Sequence, residues 1–159
     1  MYQKVLVPVD SSEDSHSIVK AVPGLVAEGG EAILFHVIPI GRTRTSGHFV
    51  VLGSQQEEDD RNRAMVYLNR LAHQLRDAPV NSRCVVVASN SVAECISNFA
   101  RQEYVDLIAM YTHDRKGLAK LIRRSVAAAV QHKAQVEVRV FGPSEMAQLG
   151  AATVGVHAG

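Results

Sequence analysis

Five short apolar segments, separated by stretches with helical periodicity, constrain the fold of this chain more than any other feature. They lie at 4–9, 32–38, 84–87, 105–110 and 136–140. The first four are apolar at almost every position, as strands buried on both faces of a parallel sheet are. The stretches between them repeat apolar residues every three to four positions. This alternation predicts a single α/β domain with an open, Rossmann-like, five-stranded parallel sheet and helices on both faces.

Local signals mark where helices and loops begin and end. Residues 91–94 (SVAE) form a capping box, and the acids at 57–60 predict the start of another helix. Pro23-Gly24 predicts a kink or an early end of the first helix, because proline inside a helix costs about 3 kcal/mol. Residues 39–55 are a long polar loop, of a length that is usually functional or mobile. The Gly/Ala-rich segment 142–159 is expected to be a flexible tail.

The overall composition argues against several classes of function. The net charge is +1 and Trp is absent, which disfavours nucleic acid and anionic membranes as partners. No apolar run approaches the ~20 residues that span a bilayer, and the opening MYQKVLVPVD becomes charged too soon for a signal peptide. Cys84 and Cys95 lack CxxC spacing and are interpreted as buried, reduced thiols. We therefore expect a cytoplasmic protein that binds neither nucleic acid nor membrane.

Residues able to bind a ligand concentrate at the ends of the predicted strands. Asp10, Val37 and Tyr111-Thr112 follow or end three of them, and ligands of open α/β sheets bind beyond the carboxyl ends of strands. Asp10 has an equally simple interpretation as a turn residue. A metal needs close and correctly aimed ligands, so Asp10, His36 and His113 do not lead us to expect one. No arrangement of Ser, His and Asp predicts a catalytic residue.

Three segments carry a resemblance to a known family. KVLVPVDSSEDS, AILFHVIP and DLIAMYTHDRKGLAKLIRRSVAAAVQHKAQVEVRV together resemble a universal stress protein over residues 2–140. The resemblance implies a universal stress protein domain over 1–141, with an adenine nucleotide alpha hydrolase-like fold and strand order 3-2-1-4-5. It also implies a stress-response regulator that is seldom an enzyme, and a homodimer formed through the fifth strands.

The resemblance further implies a nucleotide pocket. Members that bind ATP carry a G-x2-G-x9-G-[S/T] loop after the fourth strand, and an Asp after the first strand that meets the ribose. The residues of this chain that the implied pocket would use are Pro8, Val9, Asp10, Val37, Met110, Thr112, His113, Arg115, Arg124, Ser125 and Val126.

All three glycines of that loop are replaced here. Tyr111, Asp114 and Arg124 stand in their places, while Ser125 is kept. Glycines let the backbone approach phosphate oxygens, and tyrosine fills that space. Two like charges about 4 Å apart cost roughly 4 kcal/mol at an effective dielectric of 20, so Asp114 opposes a triphosphate. We expect impaired ATP binding.

Two alternatives stay open. Arg115, Lys116 and Arg124 are able to bind phosphate in place of backbone donors, which would leave an ATP- or AMP-binding regulator. The other is a weak ATPase.

The fifth segment, 136–140, alternates strictly, which predicts a strand with one partner-facing side. If it pairs antiparallel with its copy about Val138, Glu137 faces Arg139 of the other chain. A charge-protected edge strand is the other interpretation. The regulator is also expected to act by binding protein partners, which the sequence does not name.

Overall fold

The computed structural model describes residues 1–12, 16–112 and 126–154, with the backbone alone for 150–154. In chain order its elements are β1 (Tyr2–Pro8), α1 (His16–Leu25), β2 (Val26–Ile38), β3 (Arg44–Ser46), β4 (Phe49–Val51), α2 (Gly53–Ala72), a 3-10 turn (His73–Leu75), β5 (Asn81–Ala88), α3 (Val92–Gln102), β6 (Leu107–Tyr111), α4 (Val126–Lys133), β7 (Glu137–Phe141) and α5 (Pro143–Val154).

A five-stranded parallel sheet organises the domain in the order β5-β2-β1-β6-β7. Counted along the chain without the small β3–β4 pair, this is the expected order 3-2-1-4-5, so the predicted α/β architecture is confirmed. From β1, the strands β2 and β5 are added on one side of the sheet, and the later strands β6 and β7 are added on the other side. The strand order therefore switches between β1 and β6. In such sheets the crevice at this switch point is where ligands bind.

Apolar side chains cover both faces of the sheet, which explains the uninterrupted apolar runs of its strands. Val5 and Val7 of β1 point into the core beneath α1 and α2, while Leu6 points into the core beneath α3 and α4. Cys84 packs against the first core and Cys95 against the second. Both thiols are free and half-buried, so the expectation of full burial is corrected.

The connection between α1 and β2 contains no loop. The helix includes both Pro23 and Gly24, ends at Leu25, and continues directly into β2 at Val26. It therefore ends one residue after the predicted break rather than at it. β2 begins earlier than the predicted segment at 32 because its first residues pair irregularly with Tyr2. Gly29, with a φ of 74°, provides the required backbone turn there.

The predicted loop 39–55 is partly a β-hairpin. β3 and β4 pair antiparallel around a turn at Gly47-His48, where Gly47 has a φ of 59°. α2 begins at Gly53, ahead of the predicted acidic start at 57–60. The acids therefore lie inside the helix.

The capping box at 91–94 correctly predicts where α3 begins, but the side-chain hydrogen bond that it predicts is not formed. α3 begins after Ser91, but the Ser91 side chain makes no capping bond. Instead the backbone N–H of Ser91 donates to Ser89 Oγ at 3.0 Å.

Residues Pro143–Val154 of the segment expected to be a flexible tail form a helix, α5, and residues 155–159 lie outside the described residues. The backbone N–H of Gly142 donates to the Glu145 carboxylate at 2.7 Å, which closes the start of the helix with Pro143 at its first position. Met146 and Leu149 pack against the core beneath α1. Burial of these two side chains holds the helix on the domain.

Candidate functional site

A cavity of about 390 Å³ opens at the carboxyl ends of β1, β2 and β6. It lies at the switch point of the sheet and falls within the roughly 300–1,000 Å³ range of small-molecule sites. Its lining residues are Pro8, Val9, Asp10, Phe35, His36, Val37, Val92, Ile96, Met110, Tyr111, Thr112, Val126 and Ala127. A largely apolar wall with a few polar groups suits a flat ring bearing polar substituents.

The end of β1 is tied to β2 on one side of the cavity. The Val9 N–H donates to the Phe35 carbonyl at 2.8 Å. His36 Nδ1 lies 2.7 Å from the Val9 carbonyl oxygen. A carbonyl only accepts, so Nδ1 carries a proton and donates to it. These bonds fix the backbone of Val9, the residue that precedes Asp10.

Asp10 forms a turn at the rim of the cavity. Its Oδ1 accepts from the Ser12 backbone N–H at 2.9 Å and from the Ser12 hydroxyl. Its carbonyl oxygen accepts from the Tyr67 hydroxyl at 2.6 Å. The turn interpretation is thus visible in the geometry. The same turn holds the carboxylate beside the cavity, so the two interpretations of Asp10 do not compete.

The end of β6 forms the opposite wall. The Thr112 N–H donates to the Phe141 carbonyl at 3.0 Å, which extends the pairing of β6 with β7 by one residue. Tyr111 is half-buried, packs against the core beneath α1, and lines the cavity. The residue at the first glycine position therefore occupies part of the cavity wall.

The structure brings together seven of the eleven residues predicted for the pocket. The seven that line the cavity are Pro8, Val9, Asp10, Val37, Met110, Thr112 and Val126. The other four, His113, Arg115, Arg124 and Ser125, lie outside the described residues, as does Asp114.

The predicted pocket left out residues of α3 and α4 and two consecutive residues of β2. Val92 and Ile96 stand one turn apart at the start of α3, and Ala127 follows Val126 in α4. Phe35 and His36 precede Val37 on β2. The helical spacing of Val92 and Ile96 was a signal in the sequence, but spacing does not tell which end of the sheet a helix covers.

Metal ligands do not gather in the part of the chain that the structure describes. Over residues 1–12, 16–112 and 126–154, no group of three or more His, Cys, Asp or Glu side chains is placed to hold an ion. None of the helices in those ranges has the length and apolar character that crossing a lipid bilayer requires.

A model of the universal stress protein family matches residues 1–141, which is most of the chain. The chain belongs to the universal stress protein family. The match ends just before α5, so that helix follows the family domain. A comparison with curated proteins finds no match.

Solved structures, universal stress proteins among them, share the fold. The hypothetical protein MJ0577 is 26% identical with a TM-score of 0.70, over 89% of this chain and 96% of that one. A family member from Burkholderia pseudomallei is 20% identical with a TM-score of 0.68, over 88% and 96%. A family protein from Arabidopsis thaliana, solved with AMP bound, is 13% identical with a TM-score of 0.62, over 91% and 98%. At 20% and 13% identity the last two share the architecture alone.

Proposed function

We propose that this universal stress protein is a non-catalytic, cytoplasmic stress-response regulator that acts as a homodimer and in which ATP binding is impaired. The observation that carries the proposal is the position of Tyr111 on the wall of the cavity. A glycine there would leave open the space that the tyrosine occupies. Asp114, at the second glycine position in the sequence, adds a like charge against a triphosphate.

The cavity itself supports a second candidate function, that of an AMP- or ATP-responsive regulator. About 390 Å³ of largely apolar space remains between β1, β2 and β6, and Asp10 is held at its rim. A fold relative from Arabidopsis thaliana was solved with AMP bound. In this alternative Arg115, Lys116 and Arg124 meet the phosphates in place of glycine N–H groups.

The homodimer part of the proposal rests on β7, which is an edge strand in the described part of the chain. This strand is the last in the sheet, and Glu137 and Arg139 are exposed on one side of it. Within the chain, Glu137 accepts a hydrogen bond from Tyr2 at 2.7 Å, and the Arg139 guanidinium lies 5.2 Å from the Phe141 ring centre. Both side chains are exposed, which supports their pairing with a second β7.

Calorimetric titration of protein freed of bound ligand separates the candidates. ATP with Mg²⁺ and AMP are added in separate experiments to the wild type and to Asp10→Ala. The proposal expects no ATP binding in the micromolar range. AMP binding without ATP binding, lost in Asp10→Ala, means that the adenosine part of the cavity is used and the phosphates are rejected.

Micromolar ATP binding contradicts the proposal and establishes the nucleotide-responsive alternative. Tyr111→Gly tests whether the tyrosine ring is what impairs ATP binding. If the ring excludes ATP, removing it from the cavity wall should improve ATP binding. Phosphate release that persists unchanged in Asp10→Ala marks a contaminating ATPase. Release that disappears in this variant contradicts the non-catalytic assignment.

A further inference from the structure

The β3–β4 hairpin exposes an unbroken apolar run. Phe49, Val50, Val51 and Leu52 are 78%, 58%, 50% and 53% exposed, and every residue of both strands is on the surface. A two-stranded hairpin by itself is marginally stable in water. A contiguous exposed apolar patch usually marks an interaction site.

The base of the hairpin is fixed on the domain. Gly41 and Gly53 cross so closely that a Cβ on Gly41 would lie 1.8 Å from the Gly53 carbonyl oxygen. The Gly53 N–H donates to Thr43 Oγ1 at 3.1 Å, and the Gly41 N–H donates to the Glu57 carboxylate at 3.2 Å. The hairpin is therefore anchored at its base, while its apolar strands stay in solvent.

Two sets of opposite charges flank the apolar run without an ion-pair partner among the described residues. Arg42 and Arg44 are exposed, and no acidic side chain pairs with either in the described part of the chain. Glu58 and Asp59, near the start of α2, are exposed and lack a basic partner within the same ranges. Their neighbours Glu57 and Asp60 pair with Arg61 and Arg63.

We propose that the hairpin is an interface with a second copy of this chain. In a two-fold contact the same surface meets itself, so the apolar runs of two hairpins cover each other. Arg42 and Arg44 of each copy then face Glu58 and Asp59 of the other. Opposite charges across an interface fix its orientation and exclude wrong partners.

The charge distribution favours a second copy over an anionic lipid surface. Basic residues precede the apolar run, but the acidic start of α2 follows it directly and would be repelled by lipid headgroups. The hairpin is short, whereas stable interfaces bury roughly 800 Å² on each partner. The contact is therefore weak and dissociates on dilution. It is separate from β7, so the two surfaces together build assemblies larger than a dimer.

The test is the mass of the assembly, measured by analytical ultracentrifugation at about 100 μM, where a contact with micromolar Kd is populated. All chains carry Glu137→Arg, which places like charges across the β7 contact and weakens it. The parent chain is expected to be a dimer, and F49S/V51S a monomer. Tyr104→Ser is the control, because it removes an 87% exposed side chain at the opposite end of the sheet, and it should stay dimeric.

A charge exchange tests the orientation. R42E/R44E should be monomeric, and adding E58K/D59K should restore the dimer. A monomeric parent chain, or a mass that F49S/V51S leaves unchanged, overturns the proposal. So does co-sedimentation of the parent chain, but not of F49S/V51S, with phosphatidylglycerol vesicles, which would assign the hairpin to lipid.

Discussion

The hydroxyl of Tyr67, on α2, donates to the backbone carbonyl of Asp10 at 2.6 Å. This bond joins a helix that packs on one face of the sheet to the rim of the cavity. The Tyr67 ring also lies edge-on to His36, with ring centres 6.2 Å apart. One side chain thus supports both the acidic and the imidazole group of the site.

Tyr67→Phe should loosen the Asp10 turn while the ring stays packed. We expect the free energy of unfolding to fall by about 1 kcal/mol, the net value of one hydrogen bond. Any AMP affinity should fall as well, because the carboxylate is held less firmly. Chemical denaturation and calorimetry measure the two effects. Val66→Ala, at an exposed neighbour on the same helix, should change neither, and an unaltered Tyr67→Phe protein would show that the bond does not position Asp10.

Reversing one charge on β7 should weaken the proposed dimer. In Glu137→Arg, like charges face each other twice across the two-fold axis, each pair costing about 0.2–1 kcal/mol or more. Adding Arg139→Glu exchanges the two signs and should restore the original dissociation constant. Sedimentation at a series of concentrations measures it, in a chain carrying F49S/V51S to isolate this contact. Equal constants in all three proteins would exclude the register centred on Val138.

Tyr104→Gly should stabilise the protein. Tyr104 follows α3 with a φ of 54°, a left-handed conformation that costs a non-glycine residue roughly 1 kcal/mol, and its side chain is exposed. The Val105 N–H donates to the Ala100 carbonyl at 2.9 Å, which is the bond of a helix-terminating motif and needs no side chain at 104. We expect a gain of about 0.5–1 kcal/mol in thermal or chemical unfolding. A loss would mean that the tyrosine ring makes a stabilising contact.

Leu149→Ala should destabilise the domain although it lies beyond the family match. Leu149 packs against the core beneath α1, and its Cδ2 lies 3.9 Å from where a Cβ on Gly24 would stand. Shortening a partly buried leucine should cost about 1–3 kcal/mol. Gln148→Ala, on the exposed side of α5, is the control. Identical unfolding curves for wild type and Leu149→Ala would mean that α5 does not contribute to the stability of the domain.

Stability should decline at alkaline pH. Burial raises the pKa of Cys84 and of Cys95 above the usual value of a free thiol. The folded state therefore binds protons more tightly than the unfolded state. The free energy of unfolding keeps its full value below about pH 8.5, the pKa of an unfolded thiol, and falls as pH rises through the higher folded pKa values.

Denaturant titrations between pH 7 and 10 measure the slope of this decline, which C84A/C95A should reduce. The Tyr2 hydroxyl, whose bond to Glu137 raises its pKa, adds a further decline only above about pH 10, so it does not interfere with this range. A slope that is the same with and without the thiols would assign the effect to other groups.

Sequence reasoning recovered the sheet because its signal is strong and local. Apolar runs such as 105–110 occur where a strand is buried on both faces, and the implied strand order places their carboxyl ends together. Asp10, Val37, Met110 and Thr112 could therefore be assigned to one edge in advance. Val92 and Ile96 could not, since the helical period of α3 fixes its buried face but not the strand ends that it covers.

The elements that were missed have weak or misleading local patterns. β3 and β4 are three residues long and fully exposed, so neither shows the alternation of a half-buried strand. α5 is rich in small residues, and its composition suggested a loose tail. Its start was nevertheless readable, because Pro143 and Glu145 stand at the first and third helical positions.

The crossing of Gly41 and Gly53 has a consequence for how such a protein diversifies. Because the two ends of the hairpin meet at its base, the segment between them can be lengthened, shortened or exchanged without moving β2 or α2. Insertions at exposed sites of this kind are well tolerated by the rest of a domain. The hairpin is thus a replaceable module, and copies of this gene could acquire different partners by changing residues 42–52 while the cavity between β1, β2 and β6 is inherited intact.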